Sequence, residues 1–236
     1  MYTEAERPQT TADRLLGALA LGDSALPIGR FVHSGGLEAW LGEQPNVGSE
    51  RLRELIRAMI CEGAAPLDAA VLAHAHRALR LERLIELDRL LTARKLTPAS
   101  RQASHGCGRQ LAALAPQLVP ADTLVEEASS AVRNRRTDGN LAVIEGTLAR
   151  ALGVPARDAV LTALRSGAAA LLSAAVRLGA ISPSGAQTVL IELSQSFVDA
   201  AALSAALELD ELSSTIPEME IHAMRHVHGY TKTFAT

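Results

Sequence analysis

The sequence has 236 residues, of which 48% are hydrophobic and 21% charged, and its formal net charge is −3. This composition predicts a globular protein with a sizeable core and excludes a disordered or fibrous chain. The near-neutral charge provides no basic field for nucleic-acid phosphates, so we expect no nucleic-acid partner.

The N-terminal segment, residues 1–9, has no apolar stretch of the kind found in secretory signals, and we expect it to be a flexible tail. The first helix is predicted to start at Thr10, because Thr10 and Asp13 have the spacing of a capping signal. Apolar residues continue in a helical pattern to Gly22, where we expect this helix to end.

The segment from Leu26 to Glu38 departs most from simple helical patterning. Pro27 and Gly29 predict a tight turn, because proline fixes φ and glycine tolerates a positive φ. Ser34 is expected to be the N-cap of a short helix that follows the turn. Gly36 is a poor helix former, which suggests close backbone contact at this point, either within the chain or with a partner.

The middle of the chain carries clear helical signals. An amphipathic helix is predicted after Ser49 from apolar residues spaced i, i+3, i+4, i+7 and i+8. Pro66 is expected to be the first residue of a new helix, and Pro98 to open another after the N-cap Thr97. The helix that starts near Asp122 is predicted to end in a basic cluster that complements its dipole. The amphipathic positions are Leu52, Leu55, Ile56, Met59 and Ile60, and the cluster is Arg133, Arg135 and Arg136.

The second half of the chain predicts longer helices and no strand. The most apolar run, residues 166–176, is about half the ~20 residues needed to span a bilayer, so we expect a buried core helix and no membrane partner. No stretch has the alternating pattern of a strand. We therefore predict an all-α fold in which residues 10–224 form a single compact, bundle-like domain of about ten helices. The expected helices here are Leu141 to Leu152, Pro155 to Ala180, Ser182 to Leu207, and one from Pro217.

The two cysteines, Cys61 and Cys107, are far apart in the sequence, and each lies in a helical pattern. Two isolated cysteines fit buried, reduced thiols better than a disulfide framework. We therefore expect a reducing compartment.

Histidines near the C-terminus form a weak metal-ligand pattern. His222 and His226 could share one helical face, with His228 close in sequence. No carboxylate or thiolate nearby completes a tetrahedral site, so we favour structural or interfacial roles and predict no metal site, although transient contact with a metal stays open. The remaining histidines that we weighed, which specify no ligand set, are His74, His76 and His105.

The sequence contains no recognised catalytic motif. Ser34 lacks the preceding strand and flanking glycine pattern of a nucleophile elbow, and neither cysteine has a positioned histidine. No phosphate-binding loop of the Gly-x-x-x-x-Gly-Lys-Ser/Thr type occurs. We predict that the chain is not an enzyme and has no cofactor.

Several motifs carry a resemblance to a known family. The segment Ala25 to Gly29, followed by Phe31, His33-Ser34 and Gly36 to Glu38, resembles the N-terminal signature of the urease accessory protein F family, UreF. Similar runs recur along most of the chain and reach its end. They are Arg101 with Ser104, residues 108–111, residues 139–146, Leu152-Gly153, and residues 173–178 and 182–187, together with Arg225-His226, Tyr230, Lys232 and Phe234.

The chain also departs from the family pattern. The family commonly has a small residue where Arg30 stands, Tyr at Phe31, and an acidic residue at Val227. It commonly ends in Arg-Ser, where this chain ends in Ala235-Thr236. These departures weaken the transfer of individual contacts, but the matches keep their order along the chain.

The resemblance implies a cytoplasmic, non-catalytic chaperone that matures nickel urease. It implies a homodimer that binds UreD (UreH) and recruits the GTPase UreG, so that nickel reaches apo-urease under control of GTP and contact with nickel is indirect. The residues that it suggests for partner binding are Phe31, His33, Ser34, Gly36, Glu38, Arg177, Arg225, His226, Tyr230, Lys232 and Phe234.

Two hypotheses remain to be separated for the arginines. A helical GTPase-activating protein would insert an arginine finger, for which Arg177 or an arginine of the cluster 133–136 is a candidate. A scaffold would instead use Arg177 as an interfacial contact. The C-terminal tail, residues 225–236, has aromatic side chains without an obvious core to join, and we expect it to become ordered on partner binding.

Overall fold

The computed structural model describes residues 10–44, 47–214, 216–226 and 233–234 of the chain. Within this part the secondary structure is helical and no strand occurs, which confirms the predicted all-α class. The α-helices are α1 Thr11–Gly22, α2 Leu37–Glu43, α3 Ser49–Ala58, α4 Ala70–Arg77, α5 Leu81–Arg94, α6 Pro98–Leu118, α7 Thr123–Arg133, α8 Leu141–Ala151, α9 Ala156–Arg177, α10 Pro183–Glu192, α11 Ser194–Ala206 and α12 Pro217–His226. The short 3-10 turn is Arg30–Val32, and the π-helical segment is Met59–Ala69.

The predicted N-caps are confirmed where short polar side chains precede a helix. Thr10 and Asp13 form a reciprocal capping box at the start of α1. Thr97, Asp122 and Ser182 each accept a hydrogen bond from a backbone N–H in the first turn of α6, α7 and α10. These caps satisfy N–H groups that have no partner inside the helix, which is why local sequence predicts the four helix starts well.

The predicted N-cap at Ser34 is wrong. Gly36 is the N-cap of α2, with a φ of 91°, and no side chain caps this helix. The Ser34 side chain is fully buried, and its carbonyl accepts a hydrogen bond from the N–H of Leu37 at 3.1 Å. Only glycine adopts such a φ without strain, so the backbone geometry, and not a hydroxyl, sets the start of α2.

The predicted helix start at Pro66 is also wrong. α3, the π-helical segment and α4 follow one another without a break, and Pro66 lies inside the π-helical segment. Proline removes an N–H and crowds the carbonyl four residues earlier, which disrupts an α-helix. The wider i→i+5 pattern accommodates this residue, and π-helical turns often occur near functional sites.

The long helix predicted from Ser182 is divided. α10 and α11 meet at Leu193 with a bend of 51° between them. Leu193 and Phe197 are both buried at this bend, so the change of direction follows the shape of the core. The predicted start of the last helix at Pro217 is confirmed.

The core is centred on α9. This helix packs against α1, α4, α10, α11 and the π-helical segment, while α8 packs between α4 and α6. α9 is long and apolar enough to cross a bilayer, and so is the bent pair α10 and α11 taken together. The core helix of a soluble protein passes the same test, so length and composition alone do not indicate a membrane span. Half of the apolar window of α9 is buried inside the fold, as expected of the predicted core helix. The predicted amphipathic face of α3 is also buried.

A single buried carboxylate fixes the loop between α7 and α8. Asp88 of α5 is 1% exposed and accepts hydrogen bonds from the backbone N–H groups of Asp138, Gly139 and Asn140, at 2.8, 3.2 and 2.6 Å. The hydroxyl of Thr137 donates to the same carboxylate. A carboxylate that accepts this many bonds holds the loop rigidly against α5.

Candidate partner-binding site

The segment that opens the site is anchored deep in the fold. Gly29 has a φ of 76°, which confirms the predicted turn, and the 3-10 turn begins at the next residue, Arg30. The guanidinium of Arg30 lies 3.1 Å from the carboxylate of Glu145 on α8, and both side chains are largely buried. A buried pair of this kind contributes mainly to a defined geometry, because desolvation offsets much of its attraction.

The start of α2 lies directly against α12. A Cβ built on Gly36 would lie 2.8 Å from the carbonyl oxygen of Met219 and 2.9 Å from the backbone nitrogen of Ala223. Real Cβ atoms essentially never come this close to backbone atoms. Gly36 therefore makes the close backbone contact that its sequence position suggested, and the contact is within the chain.

A second contact joins α2 and α12. The ring of Trp40 is fully buried, and its Nε1 donates to Oε1 of Glu218 at 2.7 Å. Arg51 of α3 lies 3.7 Å from the other carboxylate oxygen of Glu218, and its guanidinium is 6.0 Å from the Trp40 ring centroid. The buried indole thereby holds the first turn of α12 on α2.

The C-terminal tail returns to the same helix. The carboxylate of Glu38 accepts hydrogen bonds from the backbone N–H groups of Thr233 and Phe234, at 2.7 and 3.2 Å. The Phe234 side chain is 4% exposed and belongs to the main core cluster. The expectation that this aromatic residue has no core to join is wrong, because Glu38 holds its backbone where the ring can be buried.

Arg177 connects the two ends of this site. It is the last residue of α9, and its guanidinium lies 4.2 Å from the centroid of the Phe234 ring. The same guanidinium donates to the carbonyl oxygen of Phe31. Arg177 therefore contacts both the 3-10 turn and the tail, and we call Phe31, Gly36, Glu38, Arg177 and Phe234 the signature–tail cluster.

His33 and Ser34 lie on the inner side of this cluster. His33 is half-buried, and desolvation lowers the pKa of its imidazole below the ordinary value of 6.5. His33, Arg30 and Gly35 line two neighbouring cavities of about 320 and 310 Å³. Ser34 is fully buried beside them, so neither side chain faces the outside as openly as the sequence suggested.

The histidines have structural surroundings. His222 is 7% exposed, and its Nδ1 lies 3.6 Å from the carboxylate of Glu43 without forming a hydrogen bond. His74 and His76 hydrogen-bond the carbonyls of Leu207 and Val154. Among the described residues no group of three His, Cys, Asp or Glu side chains could hold a metal ion. The side chain of His226, and His228, lie outside the described part.

The cysteines are free thiols, as predicted. Cys107 is buried, whereas Cys61 is only half-buried and its Sγ lies 3.8 Å from the carbonyl oxygen of Ser196. Burial raises the pKa of both thiols above its ordinary value. Both groups are thus protonated and weak nucleophiles at neutral pH.

The structure links four of the eleven suggested residues by direct contacts, namely Phe31, Glu38, Arg177 and Phe234. Gly36 instead packs against α12, and His33 and Ser34 precede it in the same segment. Arg225 and His226 belong to α12, but their side chains lie outside the described atoms, as do Tyr230 and Lys232 entirely. Sequence reasoning missed the ion pair between Arg30 and Glu145. A lone acidic residue within the apolar stretch 141–149 was the signal that could have revealed it.

Comparisons with known proteins decide the family. The UreF family model matches residues 47–194. A urease accessory protein UreF 2 of Brucella canis is 32% identical over 223 residues, which cover 93% of this chain and 91% of the relative. The chain belongs to the UreF family. The UreF proteins of Corynebacterium efficiens and Haemophilus influenzae are each 29% identical, over 95% and 93% of this chain and 98% and 94% of their own lengths.

Membership of the UreF family makes the chain a urease accessory protein with a role in urease maturation. The range 47–194 contains Arg177 but neither the N-terminal signature nor the tail. The UreF relatives align over 93% to 95% of the chain, which is more than the family model matches. Accessory function of this kind agrees with the predicted absence of a catalytic role.

Proposed function

We propose that this UreF-family chain is a non-catalytic scaffold that joins UreD (UreH) and the GTPase UreG during GTP-dependent delivery of nickel to apo-urease. It acts in the cytoplasm as a homodimer and touches nickel only indirectly. The observation that carries this proposal is the signature–tail cluster. Residues 195 positions apart, Glu38 and Thr233, meet in it and create one composite surface from both ends of the chain.

The cluster has an apolar surface beside it that suits a protein partner. One face of α12, with Met219 and Ala223, packs against α2. Ile221 and Met224 of the same helix are 45% and 49% exposed. Exposed apolar side chains next to a rigidly held segment are typical of protein–protein contacts, where methionine is enriched. We therefore assign UreD binding to the outer face of α12 and the adjoining tail.

A scaffold couples its partners through different contacts in different states of the complex. Two contacts of this kind lie close to the proposed partner surface. One is the pair of hydrogen bonds between the tail and Glu38, and the other is the contact between Arg177 and Phe31. A change in the position of the tail would alter the contacts of the 3-10 turn, because the Arg177 side chain contacts both segments. The finger hypothesis is less favoured for Arg177, because its guanidinium is already engaged inside the chain.

The test uses the full chain and a matched pair of surface variants. Met224→Asp should abolish capture of UreD while the thermal midpoint stays within a few degrees, because the side chain is half exposed. Leu203→Asp is the control, since Leu203 of α11 is 52% exposed. Equal capture of UreD by both variants and the wild type would reject this assignment. Independently, the purified chain alone should neither hydrolyse GTP nor bind nickel stoichiometrically.

A further inference from the structure

A basic cleft lies between α6, α7 and the loop fixed by Asp88, away from the signature–tail cluster. Its volume is about 500 Å³. Arg109, Arg133 and Arg135 line it, together with Ser129, Thr137 and Asp138. We propose that this cleft is a binding site for the phosphate group of a small molecule.

The cationic groups are largely uncompensated. In the described part of the chain neither Arg109 nor Arg135 has a carboxylate within ion-pair distance. Arg133 pairs with Glu126 at 3.2 Å, but both side chains are more than half exposed, so the pair is weak and can open. Among the described residues that line the cleft Asp138 is the only acidic one, so three arginines face the carboxylates of Asp138 and of Glu126, the partner of Arg133, and positive charge is in excess.

A buried hydroxyl in the wall lacks a partner. Ser129 is 2% exposed, and its Oγ has no hydrogen-bond partner among the residues that the structure describes. Buried hydroxyl groups are nearly always hydrogen-bonded, because an unpaired one loses its bonds to water without replacement. An anion oxygen that enters the cleft between the arginines would accept the missing bond.

Arg135 occupies a backbone position that glycine would adopt with less strain. Two backbone hydrogen bonds of the Schellman type close the C-terminus of α7. The N–H of Arg135 donates to the carbonyl of Val132, and the N–H of Arg136 donates to the carbonyl of Ala131. This motif needs a left-handed residue, usually glycine, and here Arg135 has a φ of 57°. An arginine at a strained backbone position agrees with a use for its charge.

Close packing fixes Arg109 opposite this turn. A Cβ on the preceding residue, Gly108, would lie 2.0 Å from the carbonyl oxygen of Gly139, so α6 lies directly on the loop. A Cβ built on Gly139 would lie 3.6 Å from Cγ of Arg109, so the aliphatic part of the Arg109 side chain lies along the loop. The backbone of α6 and that of the loop are therefore held together on this side of the cleft, which lowers the entropic cost of binding.

The chemistry favours phosphate over a single carboxylate. Guanidinium groups bind phosphate through paired, charge-assisted hydrogen bonds. Two guanidinium groups without an ion-pair partner in the described chain, those of Arg109 and Arg135, suit a phosphate that is mostly dianionic at neutral pH. The volume exceeds that of the ion itself, and Ala112, Ala113 and Val132 offer an apolar wall to the organic part of a phosphate ester.

The experiment titrates the full chain with inorganic phosphate at constant ionic strength and follows the arginine side-chain NMR resonances. We expect saturable shifts of Arg109 and Arg135. Arg109→Gln should weaken the affinity roughly tenfold or more, the factor expected for one lost hydrogen bond to a charged group. Arg157→Gln, at an exposed position in the first turn of α9, removes the same charge elsewhere and should leave the affinity unchanged.

Two further variants separate binding from folding. Arg135→Gly relieves the strained φ and Ser129→Ala removes an unpaired hydroxyl, so neither should lower the thermal midpoint, yet both should weaken phosphate binding. Parallel titrations with GDP and GTP distinguish a phosphate ester from free phosphate as the better ligand. Shifts that stay linear with phosphate, GDP and GTP, or equal affinities in Arg109→Gln and Arg157→Gln, would overturn the proposal. It stands independently of the scaffold function.

Discussion

The guanidinium of Arg177 lies 4.2 Å from the centre of the Phe234 ring, which itself is 4% exposed. A cation over an aromatic face is attracted by the ring quadrupole, and the attraction grows as the pair is desolvated. Because Arg177 also donates to the carbonyl of Phe31, the end of α9 holds the tail and the 3-10 turn together. The N-terminal signature and the C-terminal motif, which carry the resemblance to UreF, are thus in contact with each other through Arg177.

Replacement of Phe234 tests whether the tail is part of the folded chain on its own. Phe234→Ala should destabilise the protein by about 3 kcal/mol, the lower end for loss of a buried phenyl ring. For a chain of this size the thermal midpoint should fall by roughly 6 to 12 °C. Thr233→Ala, at an exposed neighbour, should change the stability by less than about 0.5 kcal/mol. An unchanged midpoint for Phe234→Ala would mean that the tail becomes ordered only with a partner.

Replacement of Gly36 tests the close contact between α2 and α12. Gly36→Ala should cost at least about 2 kcal/mol, because a φ of 91° strains alanine and its Cβ meets the backbone of Met219 and Ala223. Gly42→Ala is the control within the same helix, since no heavy atom lies within 4 Å of a Cβ there. It should be neutral or gain up to about 1 kcal/mol. Urea unfolding of both variants decides, and equal stabilities would refute the contact.

Local signals in the sequence predicted the helix starts well. Thr10, Thr97 and Ser182 cap their helices as expected, because the hydrogen bond that defines an N-cap spans only three residues. Gly29 likewise fixes its turn through its own φ. The all-α class followed from periodicity, which is also a local property.

Features that depend on distant parts of the chain could not be predicted in the same way. Pro66 usually ends a helix, but here the helix continues because the surrounding packing supports a π-helical turn. No residue near Phe234 in the sequence indicates that Glu38 holds its backbone, so its burial cannot be predicted locally. The basic cluster is visible in the sequence, but Ser129 and Arg109, which complete the cleft, come from another turn of α7 and from α6.

The stability of the protein should fall as the pH drops below about 6.5. Desolvation lowers the folded-state pKa of His33, His76 and His105 below the ordinary value of 6.5 that applies to the unfolded chain. The unfolded chain therefore binds more protons, so the stabilisation present above pH 6.5 is lost as the pH falls. Urea unfolding at pH 7.5 and 5.5 measures the loss. His33→Gln should show a smaller loss than the wild type, and an equal loss would contradict a lowered pKa of His33 in the folded chain.

The last prediction separates a scaffold from an arginine finger. A finger stabilises charge in the transition state, so Arg177→Ala would lower GTP turnover by UreG roughly a thousandfold in an intact complex. A scaffold contact couples binding events, so we expect a loss of about 1 to 3 kcal/mol in UreG affinity or in its coupling to GTP, with turnover changed only modestly. The contacts of Arg177 with Phe31 and Phe234 favour this second outcome, because they engage the guanidinium before any partner arrives.

Two measurements on the assembled complex decide between them: GTP turnover at saturating complex and activation of urease. Arg165→Ala is the control, since Arg165 is an exposed arginine on the same helix, α9, and should leave both quantities unchanged. Arg177→Lys keeps the positive charge but loses the planar fork, so it should recover part of the coupling. A thousandfold collapse of turnover in Arg177→Ala, with assembly intact, would reject the scaffold role because loss of a contact between Phe31 and the tail cannot remove transition-state charge stabilisation.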